Sequence, residues 1–210
     1  MADLKLVPVP TRILTNKDNI VDAIMEYAGH DITNHDIVCV AESVVAITQG
    51  RYIRPEELHI CWQARLMNRF VPGAGSMASI YGMQAAMEEE GKWNMLFSFI
   101  IGAVAKIFGK AGVFYARCRQ ASLIDDVTGT MPPFDKCLVY GPADTDRVCE
   151  EIKNATGAYG AVIADVNDLK RSAVLGKSKG INPGQVAKIL IDNPFGNDLS
   201  LIHISEPTRH

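Results

Sequence analysis

The feature that most constrains this chain is the apolar run Ala161-Val162-Ile163-Ala164, followed without a break by Asp165-Val166-Asn167-Asp168. A short continuous apolar run of this kind reads as a buried strand, and acids at its end arrive where open α/β sheets bind ligands. Oxygen donors alone suit a hard cation such as Mg²⁺ or Mn²⁺. A turn is the competing reading, because Asp and Asn side chains bond the backbone and tolerate left-handed geometry. A second acidic pair, Asp125-Asp126, follows Leu123-Ile124 and precedes a turn at Gly129. Adjacent carboxylates repel unless they are solvated, helix-capping or neutralised by a cation. Convergence of the two clusters would make a carboxylate site able to carry a divalent ion against phosphate oxygens.

The rest of the chain alternates strand and helix signals. Leu4–Leu14, with prolines, suits an edge strand or extended arm. Asn16–Tyr27 has helical spacing, with Asn16 as N-cap and Gly29 as stop. Asp36–Thr48 reads as one buried strand interrupted by Glu42-Ser43. Helices are expected over Arg54–Val71, Met77–Glu90, Asp144–Ala155 and Pro183–Ile191, and strands over Val113–Arg119, Lys136–Tyr140, Ala161–Asp165 and Ser172–Gly176. The fold class is therefore α+β (mixed α/β). The tail Asp198–His210 loses the preceding pattern. It reads as a non-native extension outside the fold, leaving one domain over residues 1–197, open to division into two subdomains and truncated at its C-terminus.

Of the 210 residues 48% are apolar and 21% charged, enough for a sizeable core. A net charge of −3 supplies no basic field, which argues against nucleic acid or an anionic membrane as the partner and favours a small molecule. Trp93–Phe108 is strongly apolar but is broken by Asn94, Ser98, Gly102 and Lys106 and falls short of the ~20 residues of a membrane span, so it is expected to be a buried helix. Lys106 within it must snorkel, pair or shift its pKa. The five cysteines are widely spaced with no Cys-x-x-Cys pair, and read as buried thiols. With no secretory signal visible, a cytoplasmic location is expected. The histidines fall at unrelated spacings and support neither a zinc site nor a catalytic triad. Gly176-Lys177-Ser178-Lys179-Gly180 offers either a phosphate-binding loop or a basic surface turn, and lacks Walker A spacing.

Several segments, taken in order, carry a likeness that none carries alone. They are Val40–Arg51 (VAESVVAITQGR), Lys106–Tyr115 (KIFGKAGVFY), Ser122–Asp125 (SLID), Ile163–Asp168 (IADVND) and Asp192–Gly196 (DNPFG). Together they resemble the coenzyme F420-0:L-glutamate ligase family, the γ-glutamyl ligases of deazaflavin coenzyme biosynthesis, and especially its shorter bacterial relatives. The resemblance implies a GTP-dependent enzyme that phosphorylates a small-molecule carboxylate and lets the amine of L-glutamate attack the acyl phosphate. It also implies two divalent ions, Mg²⁺ or Mn²⁺, mixed sheets packed with helices, and a homodimer with an interwoven mixed sheet. Position by position, it puts metal ligation on Asp125 and Asp165, with Asp168 or Asn167 replacing the ligand that Val166 cannot supply. It puts nucleotide contacts on Glu42, Ser43, Thr128 and Gly196. Where the ligases commonly carry lysine, this chain has Ser43 and Ile47, and the closing Gly-Gln reads Gly196-Asn197. Those departures motivate a second reading, a non-catalytic protein that keeps the fold and binds metal or nucleotide.

Overall fold

The computed structural model describes residues 5–71, 76–124, 132–167, 171–191 and 201–205. The chain divides into two compact units, one from Met1–Gly50 with Pro142–His210, the other Arg51–Gly141. No helix among the described residues is long and apolar enough to cross a membrane.

The first unit is a mixed five-stranded sheet covered by helices. Its strands are β1 (Lys5–Pro8), β2 (Ile37–Ala41), β5 (Gly160–Asn167), β6 (Arg171–Lys177) and β7 (Leu201–Ser205), in the order β1-β7-β2-β5-β6. β2 and β5 run parallel; every other pairing is antiparallel. The prolines of the N-terminal arm are accommodated because β1 is an edge strand. Residues 201–205 correct the expectation that the tail lies outside the fold: β7 sits between β1 and β2 and pairs with both. Its Leu-Ile-His-Ile run is rich in the β-branched residues a strand favours.

Three helices of this unit belong to the site's surroundings: α1 (Ile20–Ala28), α7 (Thr145–Thr156) and α8 (Pro183–Leu190). α1 starts later than its spacing predicts, because Asn19, rather than Asn16, caps it by accepting from the amides of Val21 and Asp22. The sheet faces bury two layers. Val38, Val40, Ala161 and Ile163 pack with α1 and α7 residues such as Ile24 and Ile152. Cys39, Val162 and Ala164 pack with Val186 and Leu190 of α8. Burial on both faces is why β2 and β5 read as unbroken apolar runs rather than alternating ones.

Asp36–Thr48 is not one strand. β2 ends at Ala41 and a short helix, α2 (Glu42–Thr48), begins at once. The polar pair Glu42-Ser43 marks the change of element, with Glu42 in a first turn where the helix dipole favours an acid.

The second unit is mainly helical: α3 (Trp62–Asn68), α4 (Ile80–Glu90), α5 (Lys92–Ile107) and α6 (Val113–Arg117), with a two-stranded antiparallel sheet of β3 (Tyr52–Ile53) and β4 (Leu138–Val139). The helix expected over 54–71 resolves into a single 3-10 turn, Pro55–Glu57, followed by α3. The strand expected over 113–119 is instead α6. The β-preference of Val113-Phe114-Tyr115 is overridden by packing: a Cβ at Gly102 of α5 would fall 2.9 Å from the Cβ of Phe114, so only glycine admits the contact. Nor is α5 the buried helix its composition predicts, since only Met95 and Ser98 of it are buried. Lys106 is exposed.

Candidate functional site at the carboxyl ends of β2 and β5

The parallel pairing of β2 with β5 sets Ala41 opposite Ala164. The next residue on each chain is an acid, Glu42 on the first and Asp165 on the second. Neighbouring strands lie ~4.8 Å apart, so the two acids follow adjacent positions: Glu42 opens α2 where β2 ends, while β5 carries Asp165 on towards Asn167. Glu42 is buried and Asp165 half-buried. Burial pushes the Asp165 carboxyl above the ordinary carboxylate range. Ser43 follows Glu42 on the first turn of α2 and is partly buried.

Local structure fixes both ends. Between Ile163 and Ala164 the β5–β6 register shifts, one residue before Asp165; such bulges raise local twist and re-aim the side chains beside them. On β6, Gly176 lets α7 approach closely. A Cβ there would lie 2.4 Å from Thr145 Cβ and 2.7 Å from its carbonyl carbon. Thr145 Oγ1 donates to the Leu175 carbonyl at 2.8 Å, locking the start of α7 on that strand. Gln49, just after α2, exchanges two hydrogen bonds with Ala143: its Nε2 donates to the carbonyl at 3.0 Å and its Oε1 accepts from the amide at 2.8 Å. The end of α2 is thereby tied to the segment that opens α7. Neither Gln49 nor Thr145 stands out in the sequence, because each acts through a partner more than twenty residues away.

Of the residues named from sequence, Glu42 and Ser43 open α2 directly after β2, and Asp165 lies on β5 one residue past Ala41's register partner. Asp125, Thr128, Asp168 and Gly196 lie outside the described residues. Among the described residues no three of His, Cys, Asp and Glu form a cluster that could hold a metal ion. The donors present at the strand ends nevertheless fit a hard cation. Both are carboxylate oxygens, and burial disfavours the charged form of Asp165, a cost that a divalent cation would offset.

The Gly176–Gly180 segment is not a phosphate cradle. Three of its amides are already taken: the Lys177 amide donates to Asp146 Oδ1 at 2.9 Å and the Lys179 amide to Glu150 Oε1 at 2.6 Å, both on α7, and the Ser178 amide to the Ala161 carbonyl at 2.9 Å. Lys177 Nζ donates to the Ile181 carbonyl at 3.3 Å. This is the basic turn of the two readings, latched to a helix whose acids at 146 and 150 lie one turn apart on the same face.

A family model described as F420-0:Gamma-glutamyl ligase matches residues 8–169. The matched span contains Glu42, Ser43, Asp125, Thr128, Asp165 and Asp168 and ends before Gly196. No curated protein matches the chain.

Proposed function

The chain belongs to the F420-0:gamma-glutamyl ligase family, and from that premise we propose that it is a GTP- and divalent-metal-dependent ligase joining L-glutamate to a small-molecule carboxylate. The observation that supports the reading is the register of Ala41 with Ala164, after which the two buried parallel strands carry the acids Glu42 and Asp165 at adjacent positions. Ligands in such sheets bind outside the carboxyl ends of the strands.

In the proposed reaction an oxygen of the substrate carboxylate attacks the γ-phosphorus of GTP, and the bond to the β-phosphate oxygen breaks to release GDP. The amine of glutamate then attacks the acyl-phosphate carbonyl, and inorganic phosphate leaves with its bonding pair as the ammonium protons are lost to solvent. The product is an amide, and no protein nucleophile takes part. Asp165 and Glu42 would hold Mg²⁺ or Mn²⁺, which on binding supplies charge neutralisation for the triphosphate and the developing phosphoryl charge. Ser43, in the first turn of α2, would offer its hydroxyl to a phosphate oxygen. The polypeptide's contribution is thus positioning and electrostatics, the usual means of phosphoryl transfer.

A second reading has a specific observation in its favour. Ile47 is buried on α2 and Ser43 is uncharged, so neither position supplies the lysine that ligases of this family commonly carry there. A protein that binds nucleotide and metal without turnover would keep Asp165 and lose those cations. The deciding experiment measures phosphate release from GTP and from ATP with Mg²⁺ or Mn²⁺, L-glutamate and a panel of small carboxylic acids. Release that requires both an acid and glutamate supports the ligase. Nucleotide-dependent stabilisation with no release across the panel supports the binding protein, and absence of both removes the two readings together.

A further inference from the structure

On α5 the residues Trp93, Phe97, Ile100, Val104 and Ile107 recur at intervals of four, three, four and three, which puts them on one stripe of the helix. They are between 48% and 82% exposed, while Met95 and Ser98, on the other side, are buried. The neighbouring helix continues the stripe. Trp62 and Leu66 of α3, and Phe70 just beyond its end, follow one another at intervals of four and are exposed as well. The Trp62 ring lies 6.4 Å from Trp93, and the Phe70 ring 6.5 Å from Phe99 of α5, so the two helices present one apolar surface. Scattered exposed hydrophobics are ordinary, whereas a contiguous patch marks an interaction site.

The charge around the patch is of one sign. Residues 91–124 include Lys92, Lys106, Lys110, Arg117 and Arg119 and no acid, and α3 adds Arg65, with Arg69 directly after it. All seven are exposed, and none forms an ion pair among the described residues. The three glutamates that precede α5 are held by other partners. Glu88 accepts from Gln84 Nε2 at 3.0 Å, Glu89 pairs with Arg51, and Glu90 accepts from the Gln120 amide at 2.7 Å. The net charge of −3, on which the expectation against an anionic membrane rests, is a whole-chain sum that conceals this segregation.

We propose that the face shared by α3 and α5 docks the protein on the surface of an anionic phospholipid bilayer, with α5 lying along the boundary between headgroups and acyl chains. α5 has 16 residues and is too short to cross. An apolar face bearing Trp and Phe, with lysines at both ends, is the composition of a helix that lies in the interface. The rings and aliphatic chains enter the acyl boundary, and Lys92, Lys106 and Lys110 extend their ammonium groups to phosphate oxygens. Charge disfavours a second copy on the same face: α5 carries lysine at each end, so either sense of pairing sets cation beside cation. Nucleic acid shares the phosphates, but Ile100, Val104 and Ile107 offer no aromatic face on which a base could stack. The inference stands apart from the ligase chemistry, since neither α3 nor α5 holds a residue assigned to nucleotide or metal.

Trp62 and Trp93 are the two tryptophans of the chain, so its intrinsic emission reads this surface alone. With vesicles of phosphatidylcholine and phosphatidylglycerol, the emission of the full chain should move to shorter wavelength and be quenched by acyl-brominated phospholipid, and the protein should co-sediment. Raising salt to ~1 M, where the Debye length is about 3 Å, should weaken the attachment. Lys106→Gln with Lys110→Gln should weaken it on the order of thirtyfold, the effect of removing two cations from an anionic surface. Ile100→Glu should abolish it, with the circular dichroism spectrum of the parent. The emission of the parent decides the question if Ile100→Glu fails to fold. Unchanged emission with the anionic vesicles overturns the proposal, as does equal partitioning onto phosphatidylcholine alone or full partitioning of the double lysine variant. So does a blue shift that grows with protein concentration in the absence of lipid, which would put a second copy on the face, or one produced by a single-stranded oligonucleotide and not by vesicles.

Discussion

Ala41 and Ala164 are register partners on neighbouring parallel strands, and each is followed directly by an acid. The pairing converts two positions 123 residues apart in the chain into neighbours at one sheet end. The two acids leave their strands differently. Glu42 turns at once into α2, where the helix dipole and burial hold it, whereas Asp165 remains on β5, half-buried beside the register shift.

Gly176→Ala should lower the stability of the protein by about 2–3 kcal/mol, because the added methyl meets the Thr145 backbone and neither helix nor strand can retreat without losing core contacts. Thr145→Val, which keeps the shape and removes the 2.8 Å hydrogen bond to Leu175, should cost only about 1 kcal/mol. Urea unfolding of both variants checks the order; a Gly176→Ala protein as stable as the parent would mean that α7 does not depend on this close approach.

Two carboxylates should give opposite pH dependence. Hydrogen bonding to Arg12, joined by the Thr15 amide, holds the Asp18 carboxyl well below the ordinary range, so its stabilisation is present at neutral pH and fades as pH falls below ~4. Burial raises Asp165. Between its ordinary and its raised value the folded state binds more protons than the unfolded, so stability falls as pH rises through that window. In EDTA, Asp165→Asn should therefore be more stable than the parent at pH 7, and the difference should shrink towards pH 4. Unfolding free energies measured across that range read the slope directly.

Thiol chemistry should be confined to one cysteine. All five thiols are free; Cys39, Cys118, Cys137 and Cys149 are buried and Cys61 is partly exposed. Burial pushes Cys39 and Cys149 up to about 12, far from the thiolate that reacts. Titration with a disulfide reagent should find one fast thiol per native chain, abolished by Cys61→Ser, and five in denaturant. Several fast native thiols would show that the core opens readily.

The runs Val38–Val40 and Ala161–Ala164 were legible as buried strands because both faces of each are covered, and the edge character of β1 was legible from its prolines. The mixed α+β class follows from those elements and the helices between them. Boundaries were less legible where two elements abut without a loop: Ala41-Glu42 passes from strand to helix in one peptide, and the polar pair reads as an interruption until the turn is seen. Residues 113–117 misled because intrinsic preference yielded to the Phe114–Gly102 contact, and α5 misled because composition cannot distinguish an apolar face that is covered from one that is open. At the site, Asp165 announced itself as an acid ending an apolar run. Its neighbour Glu42 was carried over by resemblance, and their adjacency needed the strand register.

The most direct test of the central claim is Mn²⁺ binding in the presence of GTP, followed by the electron paramagnetic resonance signal of free Mn²⁺, for the parent and for Asp165→Asn. The parent should take up Mn²⁺ in a nucleotide-dependent way, and the variant should lose at least one bound equivalent with its circular dichroism unchanged. Full uptake by Asp165→Asn would place the metal away from the shared end of β2 and β5 and contradict the account.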